Sequence, residues 1–220
     1  MAELKGLSLV SGALQTDIDE ICALTEMGWA DRPLWAGMMQ NVSASDIRNL
    51  LASIHIKRVE KPENEYFRVV DKATGRTVAW ASLLHPRPTD LLPSEGGAVP
   101  IEMPNIPGIN KRLAGLFFNQ FGITAEYGYD ATQHFHRKGT FVHREFQRRG
   151  LATLLQEQCN QIADTAGKAT FVLAIPTSKK LFENGGFKVV ATFEYDVSGD
   201  GKVTEQRWVM RRDPQPMRAQ

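Results

Sequence analysis

Apolar residues in the first third of the chain recur at helical spacing. A short strand-like run, Leu7–Val10, comes first. Thr16-Asp-Ile-Asp19 then offers capping side chains, and Ile18, Ile21, Cys22 and Met27 follow on one face. Asp31-Arg-Pro begins a second short helix carrying Trp35, Met38 and Met39, and Ser43 or Ser45 caps a third with Ile47, Leu50, Leu51 and Ile54 together. The period then changes from helix to strand. Tyr66–Val70 and Arg76–Leu84 flank Asp71-Lys-Ala-Thr-Gly75, a hairpin pattern with a glycine closing the turn. The stretch Pro86–Pro107 holds six prolines and reads as a long functional or mobile loop. Asn110–Phe121 reads as a helix with Leu113, Leu116, Phe117 and Phe121 inward.

The second half alternates strand and helix. A strand of roughly Phe135–His143 leads through a basic turn into a helix, Leu151–Ala166, that Gly167 stops. Thr170–Ile175 is a buried strand ended by Pro176, and Ser178 caps a short helix, Lys179–Asn184. Phe187–Val197 and Gln206–Arg211 form a final antiparallel pair around Gly199-Asp-Gly201. A meander followed by strand–helix–strand–helix–strand predicts an α/β (α+β) fold, a mixed sheet with helices on both faces. The reading is one domain over 1–213, with 214–220 a disordered tail.

Composition narrows the function classes. Hydrophobic residues make up 42% and charged residues 23% of 220 residues, as in a globular protein with one substantial core. The net charge of +1 supplies no global field for nucleic acid or an acidic membrane, so neither partner is expected and any anion site must be local. Neither a signal peptide nor a membrane span is readable, and a cytoplasmic monomer or homodimer is expected. Cys22 and Cys159 both fall in helical patterns among apolar neighbours and read as reduced core residues, and no metal site is expected.

The chemistry concentrates at Gln147-Arg148-Arg149-Gly150-Leu151-Ala152. A strand that ends in a basic, glycine-containing turn and enters a helix is suited to hold an anion. Gly150 keeps a Cβ away from the ligand, and the first helical N–H groups have no intrahelical partner and sit at the positive end of the dipole. The same residues also fit an ordinary strand–helix turn with solvated arginines.

These residues resemble the GNAT superfamily of acyl-CoA-dependent N-acetyltransferases. The family's phosphate turn reads Gln or Arg, two residues, Gly, one residue, Gly or Ala, which Gln147–Ala152 matches. Downstream, Ile175-Pro-Thr-Ser178 and Leu181-Phe182-Glu183-Asn184-Gly185-Gly186-Phe187 resemble the family's second signature. Clear resemblance covers about residues 134–190. It implies a GNAT fold, with a central sheet of about seven strands and a splayed strand pair holding coenzyme A. Acetyl-CoA or another acyl-CoA is the implied cosubstrate. Its pyrophosphate would rest on Gln147, Arg148, Arg149, Gly150, Leu151, Ala152 and Thr153, and its pantetheine arm on backbone groups of Phe141, Val142 and His143, near Phe182. A backbone N–H there would stabilise the oxyanion. Arg144, Arg148 and Arg149 could take the 3′-phosphate, or be solvated arginines only.

The resemblance also suggests acid and base. The amine must lose a proton, since a primary amine has a pKa of about 10.4. In several family members the base lies six residues before the strand's last apolar residue, which is His136 here. The stretch Val142-His-Arg-x-Phe146 is similar to arylalkylamine acetyltransferases, which carry a histidine at that position. Against this, His134, His136, Arg137 and Lys138 also read as a charged surface strand. Glu126 and Glu145 are secondary candidates. The family's acid is a tyrosine where this chain has Phe182. Water, Ser178, or a tyrosine from elsewhere (Tyr127, Tyr129 or Tyr195) could replace it, or the chain could bind coenzyme A without turnover. The implied function is direct acetyl transfer to a primary amine of a small molecule, with a protein or peptide acceptor as the alternative. Trp29, Trp35, Met38 and Met39 could line the acceptor pocket, although such a stripe is more often core.

Overall fold

The computed structural model describes residues 5–13, 15–87 and 105–216. Most of the proline-rich stretch, the Phe121 side chain and residues 217–220 lie outside the described residues. Seven strands form one sheet in the order β1-β2-β3-β4-β5-β7-β6. They are β1 (Leu7–Ser11), β2 (Asn64–Asp71), β3 (Thr77–Leu84), β4 (Phe135–Val142), β5 (Thr170–Ala174), β6 (Lys188–Asp196) and β7 (Thr204–Arg212). All neighbours are antiparallel except β4 and β5.

The helices are α1 (Ile18–Trp29), α2 (Pro33–Met39), α3 (Ala44–Val59), α4 (Lys111–Asn119), α5 (Leu151–Thr165) and α6 (Pro176–Asn184). Local chemistry sets their starts. Ser43 Oγ accepts from Asp46 N and caps α3, Asn110 Oδ1 accepts from Leu113 N and caps α4, and prolines open α2 and α6. The Asn110 helix is shorter than the sequence suggests, because from Gln120 to Tyr127 the chain tightens into a 3-10 helix that ends on Gly128 at φ +86°. Ser178 is not the cap of α6: Ile175 holds that place, and Ser178 lies three residues in, bonded back to Ile175 N and O.

β3 is buried along its whole length because both faces of the sheet are covered. On one face Ala79, Ala81 and Leu83 pack against Leu151, Leu155 and Cys159 of α5. On the other, Trp80 and Tyr66 pack against Ile21 and Leu24 of α1. A second core joins α1, α2, α3 and α4 through Trp35, Met38, Leu51 and Phe117. Trp35, Met38 and Met39 are therefore core, as such a stripe usually is. Burying residues of this size contributes about 1.5–3 kcal/mol each. Gly28 lets α1 meet β4, since a Cβ there would lie 2.3 Å from the Phe141 ring, and Gly139 of β4 makes room for the Trp80 ring of β3, 2.6 Å from where its Cβ would be. Cys22 and Cys159 are both free and buried.

Two irregularities in β4 create the site. Its ladder with β3 skips Lys138, since Ser82 pairs with Gly139 and Leu83 with Arg137. Lys138 is thus the extra residue of a β-bulge, which bends the strand. The parallel ladder with β5 covers only Phe135–Arg137, opposite Thr170–Val172. Beyond Arg137 the two strands part.

Candidate active site

The gap between β4 and β5 opens into two adjoining spaces. One is a groove of about 790 Å³ that runs from the Gln147–Thr153 turn past Phe141 and Val142 to Ser178 and Leu181. The other is a smaller cavity of about 110 Å³, walled by Trp29, Phe141, Val172 and Phe182. Arg32, Thr140, Phe141, Ile175 and Ser178 border both, so the spaces are continuous.

The turn has the geometry of an anion cradle. Arg148 and Gly150 adopt left-handed conformations at φ +60° and +80°, two residues apart. Such alternation turns successive backbone N–H groups to one side. The first bond of α5 is Leu154 N to Gly150 O, so the N–H groups of Leu151, Ala152 and Thr153 precede the helix ladder. No side chain caps them. A Cβ built on Gly150 meets no atom within 4 Å and projects into open space. Gln147, Arg148, Gly150, Leu151, Ala152 and Thr153 all border the groove. Arg149 does not: its guanidinium lies 4.9 Å from the centre of the Phe146 ring. Arg144 is tied to Asp31 at 2.8 Å, with both side chains exposed.

The backbone of β4 divides its amides between a neighbour and the gap. His143 N donates to Val78 O at 2.8 Å. By antiparallel alternation Phe141 also faces β3, while Thr140 and Val142 turn their N–H and C=O groups toward the gap. The expectation that His143 lends its amide to pantetheine is therefore corrected. That amide is spent on β3, as is that of Phe141, and the free ones are Val142, adjacent to it, and Thr140, three positions away. Gln147 Nε2 donates to Val142 O at 3.1 Å, which leaves the Val142 N–H open.

His136 borders the cavity and is buried. Its Nδ1 lies 2.9 Å from Arg137 O, which can only accept, so Nδ1 carries the proton. Nε2 then presents its lone pair to Thr124 Oγ1 at 3.1 Å. Burial, with Lys138 nearby, pushes the His136 pKa well below the ordinary histidine value, and the ring is neutral. The reading of His136, Arg137 and Lys138 as a surface cluster fails: His136 and Arg137 are 4% and 2% exposed. Glu126 and Glu145 are exposed and do not border the cavity.

Phe182 occupies the cavity wall, edge-on to Phe187. Ser178 Oγ borders both spaces but donates to Ile175 O at 3.2 Å, so its proton is engaged. Of the tyrosines, Tyr129 packs edge-on against His136 at 4.9 Å, and burial raises its pKa to about 12. Three functional side chains escaped the sequence reading. Glu205 binds Arg32 at 2.9 and 3.1 Å, accepts from Leu34 N at 2.9 Å and pairs with Arg207. Arg32 and Arg207 border the cavity, with Arg207 fully buried. The one local signal was in β7, where Glu205, Arg207 and Val209 share the buried face at strand period.

Residues 118–199 match the acetyltransferase (GNAT) domain family. No curated protein sequence matches the chain. Among solved structures, the chain is similar to the C-terminal condensation domain of Ebony in complex with beta-alanyl-dopamine, at TM-score 0.67 and 16% identity, covering 94% of this chain and 98% of that one. It is similar to histone acetyltransferase HPA2 and related acetyltransferase from Corynebacterium glutamicum, at TM-score 0.58 and 16% identity over 97% and 99%. It is also similar to yncA from Salmonella typhimurium, solved with its cofactor acetyl-CoA, at TM-score 0.55 and 15% identity over 97% of each chain. The seven-stranded mixed sheet and the parted β4–β5 pair give the chain the fold of these acetyltransferase structures, and its residues 118–199, which include the Gln147–Thr153 turn, match the acetyltransferase (GNAT) domain.

Proposed function

We propose that the protein transfers an acetyl group from acetyl-CoA directly to a primary amine of a small molecule. The observation that carries this reading is the continuity of the two spaces, a long groove ending on an uncapped helix N-terminus and a small cavity beside it. The groove suits a coenzyme with a diphosphate, and the cavity suits an acceptor of few atoms better than a peptide. The Ebony domain, whose fold is similar, is known in complex with beta-alanyl-dopamine, an acylated small amine.

In this reading the amides of Leu151, Ala152 and Thr153 bind the pyrophosphate. The amides of Thr140 and Val142 hold the pantetheine arm and the developing oxyanion. The amine nitrogen forms a bond to the acyl carbon, the carbon–sulfur bond breaks, and the sulfur leaves with the electron pair. His136 Nε2 accepts the amine proton, directly or through Thr124. The thiolate can leave without a tyrosine, because a free thiol has a pKa of only ~8.5. Thiol release from acetyl-CoA with a panel of small amines, set against basic peptides, tests the reading. Turnover confined to peptides would overturn the small-molecule acceptor.

Phe182 favours a second reading, coenzyme A binding without turnover, since the hydroxyls that border both spaces, Ser178 and Thr140, already donate to Ile175 O and Gly139 O. Tight coenzyme binding with no thiol release from any amine or peptide would support it.

A further inference from the structure

The small cavity has a one-sided charge. Arg32, Arg137, Lys138 and Arg207 border it, and no Asp or Glu does. Glu205 lies just behind, but its oxygens are taken up by Arg32, Arg207 and Leu34 N. Among the described residues no carboxylate forms an ion pair with Arg137 or Lys138. Burial and the nearby guanidinium groups of Arg58 and Arg87 push the Lys138 pKa down to about 7.

Arg137 is the sharpest feature. It is 2% exposed, and Nη2 donates to Thr140 Oγ1 at 2.5 Å. Nε and Nη1 are buried with no oxygen or nitrogen partner, and the Cys159 thiol is the neighbouring group. Its guanidinium lies 6.0 Å from the centre of the Phe182 ring, on the cavity wall. Buried donors are nearly always satisfied, and an exception at a cavity points to a ligand that satisfies it. Nε–H and Nη1–H point to different sides of the guanidinium, with Nη2 held by Thr140 between them, so each can give a carboxylate oxygen one charge-assisted hydrogen bond.

Resting on the small-amine reading above, we propose that the acceptor is an amine that carries a carboxylate on its own skeleton, an amino-acid-like molecule, and that Arg137 receives that carboxylate. The cationic walls also favour the neutral over the protonated form of the amine, which is the form that attacks. A simple alkylamine, wholly cationic in solution, would meet repulsion and leave the Arg137 donors unfilled. Trp29, Phe141, Val172 and Phe182 leave an apolar wall for the acceptor's side chain.

The test compares matched pairs that differ by the carboxylate: L-phenylalanine against 2-phenylethylamine, L-methionine against 3-(methylthio)propylamine, and glycine against methylamine. Wild type is expected to show kcat/KM at least about tenfold higher for the carboxylate-bearing member of the best pair, the scale of one charge-assisted hydrogen bond and its unpaired alternative. Arg137→Gln should collapse that ratio toward unity through KM, Arg137→Lys should restore part of it, and neither should change the Kd for coenzyme A. A wild type that prefers the decarboxylated member overturns the proposal. So does an Arg137→Gln variant that loses rate equally on both members, because Arg137 would then serve the departing thiolate. A calorimetric arm does not depend on turnover. N-acetyl-L-phenylalanine should bind the coenzyme A complex at least about tenfold more tightly than its amide, and equal affinities overturn the proposal. Failure of the transferase reading looks different: no thiol release with any amine, whatever the calorimetry gives. If Arg137→Gln does not fold, Arg137→Lys and the calorimetric arm on wild type decide the proposal.

Discussion

Replacing Gly150 with alanine separates backbone strain from ligand contact. Gly150 sits at φ +80°, and an L-residue there costs about 1–2 kcal/mol. That cost is present with and without coenzyme, so it lowers stability but cancels from the binding equilibrium. The new methyl meets no protein atom within 4 Å, so the chain itself does not resist it. Any loss of affinity must come from the methyl occupying space the ligand uses. A loss of 10- to 100-fold in Kd corresponds to about 1.4–2.8 kcal/mol. Gly167 is the control. It lies just past the other end of α5, at φ +64°, also with open space at its Cβ. Gly167→Ala should cost similar stability, a fall of about 2–8 °C in Tm for a chain of this size, and leave coenzyme binding unchanged. Calorimetric titration of coenzyme A into both variants, with melts of each, is the assay. If Gly150→Ala binds coenzyme A like wild type while melting like Gly167→Ala, the turn does not hold the pyrophosphate. If Gly167→Ala weakens binding as much as Gly150→Ala, the effect is strain in α5 and the argument fails.

Stability should fall as pH drops below about 6.5. His55 and His136 are buried and neutral, with the His55 pKa pushed down to about 3 by burial, so the unfolded chain binds more protons and stability rises with pH. Between the unfolded pKa and pH 5 His55 contributes a loss of about 2 kcal/mol, and His55→Asn should flatten the slope of denaturant melts against pH; an unchanged slope refutes the assignment. For the same reason the rate limb belonging to His136 should lie well below pH 6.5, and His136→Ala should lower kcat and remove that limb. Glu205→Gln leaves the Arg32 and Arg207 guanidinium groups short of a counter-charge and should cost about 3–5 kcal/mol in urea melts, where a change below 1 kcal/mol would mean the network is dispensable. Phe182→Tyr should keep or raise the rate of thiol release; a large loss would mean the ring packs on a substrate.

The sequence carried the parts of the site that are local. The turn, the helix it opens and the Gly167 stop depend on residues within a few positions of one another, and each was readable from glycine placement and apolar spacing. The bulge at Lys138 has no local mark, since its cause is the register against β3, some sixty residues earlier. Without it, His136-Arg137-Lys138 reads as a solvated strand. Pairing with β5 on the other side buries two of those residues inside the sheet. The Arg32–Glu205 pair joins residues 173 positions apart, beyond any periodic pattern. The partner of His143 N–H was likewise a matter of ladder parity, which depends on which strand lies alongside.

The sheet order has a consequence for how this enzyme is made. β7 is translated after every other strand, yet it lies between β5 and β6, and it carries Arg207 and Glu205. Until β7 emerges, β5 has an open edge and the cavity lacks one wall, while the phosphate turn and α5 are already complete. A ribosome-bound chain halted before Thr204 should therefore be able to assemble the coenzyme's anchor but not the chamber where the acceptor sits. On the proposed reading, selection of the acceptor waits on β7, whereas coenzyme binding does not.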